Sequence, residues 1–121
     1  MVEDVPDVQV VREHVAIDHL RTLAEGLFGN LVKAVVDIEQ EIMAIGGELH
    51  ADEEALLLDA GSDQADLWGI NLYPAQRGQP DWILFDSLIN VRPRQSNRSR
   101  SVEDPATRRR IAEIVERLVV D

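Results

Sequence analysis

Hydrophobic and polar positions along this chain switch between a period of two and a period near 3.6, and each switch marks an element. Val8-Gln9-Val10-Val11-Arg12-Glu13-His14-Val15 is β-branched and partly alternating, which predicts a first strand. Leu20, Leu23, Ala24 and Leu27 then recur at helical spacing behind Asp18, a good N-cap, and Gly29-Asn30 supplies the stop. Leu31 to Glu39 suits a central strand, with Ile42 to Ile45 as its partner across a tight turn at Glu39-Gln40-Glu41. Gly46-Gly47 ends that hairpin.

Residues 51–59 lack Gly, Pro and β-branched side chains and precede an Ala-Gly-Ser stop, which favours a short helix. The alternative is a hairpin of Glu54–Leu58 against Leu67–Leu72 across Asp59–Gln64. Leu67 to Tyr73 and Trp82 to Phe85 form a second hairpin around the loop at 74–81, and the alternation of Ser87 to Val91 extends or joins the same sheet. Residues 92–102 form an Arg-rich loop. The last element is a helix over 104–119, with Asp104 at the N-cap, Pro105 at the first helical position, and Ile111, Ile114, Val115, Leu118 and Val119 on one face. Arg109, Glu113 and Arg117 stand at i,i+4 spacing for ion pairs along it.

The order β-α-β-β-α-β-β(β)-α predicts an α+β fold, with about three helices packed on an antiparallel or mixed sheet. All 121 residues fit one domain, with 1–7 expected to be a flexible N-terminus. A hydrophobic fraction of 45% can build a core at this size without a metal or a disulfide. The absence of cysteine excludes disulfides, thiolate metal sites and cysteine nucleophiles. With no signal-like or spanning apolar segment, the expected location is the cytoplasm and no membrane partner is expected.

The net charge of -11 argues against broad nucleic-acid binding, which depends on Lys and Arg neutralising phosphates. Position changes that picture. Residues 1–91 hold 18 acidic against four basic residues, whereas residues 92–121 hold eight Arg against five acids, so the charge is -14 followed by +3. The ordinary reading of the basic part is a surface that pairs with the protein's own acids, Asp86 among them.

Two clusters carry candidate chemistry. In Gly46-Gly47-Glu48-Leu49-His50-Ala51-Asp52-Glu53-Glu54, the side chains of His50, Glu48, Asp52 and Glu54 are candidates for acid–base work or for a divalent cation. The competing reading places those acids at a helix start simply because the helix dipole favours them there. In the loop, Arg92, Arg94, Asn97 and Arg98 suit an anionic ligand, because guanidinium forks grip carboxylate or phosphate through paired bonds. A stretch of that length without regular structure is uncommon in a compact domain unless it is functional or disordered, and the competing reading is a solvated loop. Trp68, Tyr73, Trp82 and Phe85 are expected in the core rather than on a stacking surface. No Walker loop, dinucleotide fingerprint, His-Glu-x-x-His or nucleophile elbow is present, and the sequence predicts no cofactor and no metal site beyond the open question of a divalent cation.

Taken together, Val35-Val36-Asp37-Ile38-Glu39, Gly46 to Asp52 with Glu54-Ala55, Gly61-Ser62-Asp63-Gln64 leading to Asp66-Leu67-Trp68-Gly69, and Ile89 to Ser99 resemble the bacterial family DUF5674. The resemblance implies a compact stand-alone protein and supplies no activity, substrate or catalytic residue. It also implies that the His50, Gly61–Gly69 and Arg-rich segments form one recurring pattern and should meet in space. The leading functional expectation is binding of an anionic small molecule, or of an acidic protein segment, through Arg92, Arg94, Asn97 and Arg98. The alternatives are a phosphoesterase-like or nuclease-like hydrolase, with His50 and Glu48 or Asp52 as base or ligands and Arg94 and Arg98 on the phosphate, and a structural homo-oligomeric module.

Overall fold

A computed structural model of the chain describes residues 8–121, so the expectation for residues 1–7 lies outside the described residues. The elements are β1 (Gln9–Val11), β2 (Val15–Ala16), α1 (Ile17–Leu27), β3 (Val32–Asp37), β4 (Ile42–Ile45), α2 (His50–Asp59), β5 (Leu67–Leu72), β6 (Ile83–Leu84), α3 (Pro105–Leu118) and β7 (Val119–Val120). β1, β4, β3, β5 and β6 lie side by side in that order, every neighbour antiparallel. β2 and β7 form a separate parallel pair, Val15 opposite Val119. The protein is an α+β domain.

The sheet is covered on both faces. Val32, Ala34 and Val36 of β3, Met43 and Ile45 of β4, and Trp68, Ile70 and Leu72 of β5 point to one side, where α1 supplies Leu20 and Ala24 and α3 supplies Ile111, Ile114, Val115 and Leu118. Val35, Ile42, Ala44 and Leu67 point to the other side, where α2 contributes Leu57 and the segment after β6 contributes Ile89. This double burial explains why β3 and β4 read as nearly continuous apolar runs rather than as strict alternation.

The two helical layers are held differently. α3 has a wide apolar stripe, starts with Pro105, and is capped by the Asp104 carboxylate, which accepts from the Thr107 N–H. In α2 the buried residues are His50, Glu53 and Leu57, so one leucine and two polar groups fasten it to the sheet. Complete burial of one leucine contributes roughly 1.5–3 kcal/mol, which leaves much of the docking of α2 to hydrogen bonding.

Residues 51–59 are helical, which settles the choice left open by their sequence. Other details differ from expectation. The first strand is split: β1 pairs with β4, while β2 turns away to meet β7, because Val15 is buried in the core beside Val119. α1 begins at Ile17 with Ala16 at the N-cap, and Asp18 instead sits in the first turn bonded to Arg21 at 2.8 Å. Residues 87–91 do not continue the sheet but form a single 3-10 turn at Leu88–Asn90, begun by Ser87 Oγ accepting from the Ile89 N–H. In place of pairs along α3, Arg110 and Arg117 both reach Glu41, at 2.8 and 3.1 Å, because the β3–β4 turn presents that carboxylate to the helix and holds it below the usual glutamate range.

Candidate functional site

The polar segments meet around the face of the sheet covered by α2 and the outer edge of β5. Asp37, fully buried at the end of β3, accepts through Oδ1 from the N–H groups of Glu39 and Gln40 at 2.9 Å each. Its Oδ2 accepts from the Ser62 hydroxyl at 2.6 Å, so one carboxylate fixes the β3–β4 turn and the chain just beyond α2. Glu53 is fully buried and accepts from the Gly47 N–H at 2.9 Å through Oε2, while Oε1 has no partner. Burial raises the Glu53 carboxyl well above the ordinary glutamate range, with the Gly47 bond opposing. A Cβ on Gly47 would lie 3.0 Å from Glu53 Cγ, which accounts for the second glycine of the pair.

The Arg-rich loop is largely a frame for the outer edge of β5. Asn90, fully buried, accepts from the Gly69 N–H at 2.8 Å and donates to the Gly69 and Arg100 carbonyls at 2.9 and 3.0 Å. The side-chain amide thus occupies the place of a strand backbone. Gly69 permits this approach, because a Cβ there would lie 2.6 Å from Ser87 Cβ. Arg92 lies with its guanidinium 4.6 Å from the Trp68 ring centre. It donates to the Ile89 and Gln64 carbonyls at 2.9 Å each, to Gln95 Oε1 at 3.4 Å and to the Leu67 carbonyl. Its remaining partner is Glu54, 3.8 Å away, near enough for charge but too far for a hydrogen bond. Asn97 donates to the carbonyls of Asn90 at 2.7 Å and Ser101 at 2.7 Å, and accepts from the Glu103 N–H at 2.8 Å.

These bonds separate the four residues expected to hold an anion. Arg92 and Asn97 spend their donors on the protein's own carbonyls. Arg94 is exposed in a cleft that it lines with Arg92, Gln64, Pro93 and Gln95, and Arg98 is exposed outside that cleft. The sequence signal for this difference is weak, since the buried Arg92 and the exposed Arg94, Arg98 and Arg100 share a stretch with almost no apolar residue.

The acidic cluster also divides. Glu48 and Asp52 are exposed, Glu54 faces Arg92, and His50 turns under the helix to place Nε2 2.8 Å from the Ile70 carbonyl. Among the described residues no group of three or more His, Asp or Glu side chains is placed to hold a metal ion. Also among the described residues, no helix is long and apolar enough to cross a membrane.

His50 instead lines a cavity of about 170 Å³ together with Lys33, Leu49, Ala51, Ser87, Leu88, Ile89 and Arg100. Lys33 is the chain's single lysine. Arg100 is bonded to Asp86 at 2.7 Å through Nε, which leaves its two terminal nitrogens. Leu49 occupies the N-cap of α2, and no side chain caps the first N–H groups of that helix, which opens onto this cavity through Leu49, His50 and Ala51. Burial holds His50 below the usual imidazole range, partly offset by its bond to Ile70, and the Lys33 charge lowers it further. Lys33 and Ser87 were absent from the expected site residues. The one available cue was a lone lysine among β-branched neighbours, which a strand pattern does not distinguish from a surface charge.

A family model described as a protein of unknown function, DUF5674, matches residues 9–118. No curated protein and no solved structure matches.

Proposed function

The chain belongs to the DUF5674 family, and from that premise, which carries no activity, we propose that it binds a small anion in the cavity lined by Lys33, His50, Ser87 and Arg100. The observation that supports this most is the uncapped start of α2 opening onto a cavity that also holds a lysine and an arginine. Unpaired helix N–H groups carry partial positive charge, and an anion there satisfies them while the two cations supply Coulomb attraction. The Ser87 hydroxyl adds a further donor on the cavity wall.

This keeps the anionic ligand expected from the Arg-rich segment but moves its seat. Arg100 is the member of that segment on the cavity wall, while Arg92 and Asn97 hold the loop that positions it.

Calorimetric titration with inorganic phosphate and with short carboxylates tests the reading. Binding of at least one of them is expected, weakening about tenfold in Lys33→Met and decreasing with added salt, as for any partly exposed charge contact. Lack of binding by every small anion, or unchanged affinity in Lys33→Met, would overturn it.

A further inference from the structure

The cavity is not uniformly a donor site. Lys33, Arg100 and the first N–H groups of α2 can only donate. His50 differs, and its hydrogen bond fixes how. The Ile70 carbonyl can only accept, so Nε2 carries the proton and Nδ1 of the neutral ring is a bare acceptor. His50 is 92% buried, being 8% exposed, and Nδ1 makes no hydrogen bond among the described residues. Desolvation favours this neutral form at pH 7. A plain carboxylate would meet the cations but has no proton to give Nδ1, whereas a ligand hydroxyl has one.

Two further properties narrow the ligand. Lys33 and Arg100 bring two positive charges and Asp86 removes one, so with His50 neutral the site has one charge to balance, which suits a monoanion. The remaining wall is Leu49, Ala51, Leu88 and Ile89, with Leu49 and Leu88 among the most exposed apolar side chains of the protein. A volume of about 170 Å³ is close to the ~150 Å³ that accommodates one benzene, which limits the guest to a small molecule.

We propose, resting on the anion-binding reading above, that the preferred ligand is a small 2-hydroxycarboxylate with a short branched aliphatic side chain. Its carboxylate lies on Lys33, Arg100 and the start of α2, its hydroxyl donates to Nδ1 of His50, and its side chain covers Leu49, Leu88 and Ile89.

The test compares both enantiomers of 2-hydroxy-3-methylbutanoate with 3-methylbutanoate and inorganic phosphate by calorimetry on the full chain at pH 7.5. One enantiomer is expected to bind about five- to tenfold tighter than the acid lacking the hydroxyl, the range of one net hydrogen bond. His50→Gln should reduce that ratio to near one. If that variant does not fold, the ¹⁵N spectrum of the wild-type imidazole decides: Nδ1 should shift with the hydroxy acid and stay in place with the plain acid. Equal affinity for the two acids, or an unmoved Nδ1, overturns this inference and leaves the anion site standing. Failure of all the ligands to bind overturns both.

Discussion

Replacing Asn90 tests whether a side-chain amide closes the outer edge of β5. Asn90→Ala removes three hydrogen bonds, to the Gly69 N–H, the Gly69 carbonyl and the Arg100 carbonyl, at a position with no exposed surface. Each is worth about 1 kcal/mol net, and a buried group left without a partner costs a further ~1–3 kcal/mol. A total loss of about 4–6 kcal/mol follows, a large part of the roughly 5–15 kcal/mol by which domains are stable. For a chain of this length that corresponds to a melting temperature lowered by about 16–24 °C. Asn90→Asp should cost more at neutral pH, since a carboxylate oxygen would then face two carbonyl oxygens. The folded-state pKa of the new carboxyl would be raised, so its penalty is smallest below the unfolded aspartate value near 3.9 and grows as pH rises through the folded value. Urea unfolding of the three proteins at pH 4 and pH 7 measures both effects. A loss under about 1 kcal/mol in Asn90→Ala would refute the idea that the amide acts as a strand.

Glu53 has a raised folded-state pKa, so its contribution is most favourable below the unfolded value near 4.3 and is lost as pH rises through the folded one. Glu53→Gln, which keeps an acceptor for the Gly47 N–H, should therefore gain stability relative to wild type from pH 5 to pH 8; urea midpoints that run parallel would contradict this. Arg92→Lys should lose about 3 kcal/mol in the same assay, because one ammonium cannot reach the Ile89, Gln64 and Leu67 carbonyls together; a loss under 1 kcal/mol would show the fork to be dispensable. Asp104→Ala removes the α3 cap and should cost about 1 kcal/mol, read as a melting temperature lower by about 4 °C.

What could be read from the sequence depended on how local its cause was. The Asp104-Pro105 start of α3 and its apolar stripe are contained in one stretch, and the helix appears where that stretch places it. The β3–β4 hairpin is equally local. The segment from Ser87 to Val91 misled because its burial runs against its polarity: Leu88 and Val91 are exposed while Ser87 and Asn90 are buried, Asn90 to serve Gly69, a residue 21 positions earlier. The same non-locality hid the cavity. Lys33 comes from β3, His50 from the start of α2 and Arg100 from the loop before α3, and nothing in their spacing brings them together. Resemblance to a family suggested that the motifs meet; geometry shows that many of them meet to hydrogen-bond the backbone. Asp37, Asn90, Arg92 and Asn97 are recurrent-looking polar residues whose bonds are to the chain itself.

Closing an edge with side chains also bears on solubility. β6 covers β5 only at Asn71 and Leu72, and Asn90 and Arg92 occupy the hydrogen-bonding positions of Leu67 and Gly69. An unpaired edge is a template for a strand from another molecule. The Asn90 and Arg92 variants should therefore aggregate at temperatures well below those at which their far-UV spectra show unfolding, with the uncovered half of β5 as the nucleating surface. Along this half of β5 the edge is closed by two polar side chains of a loop rather than by a strand.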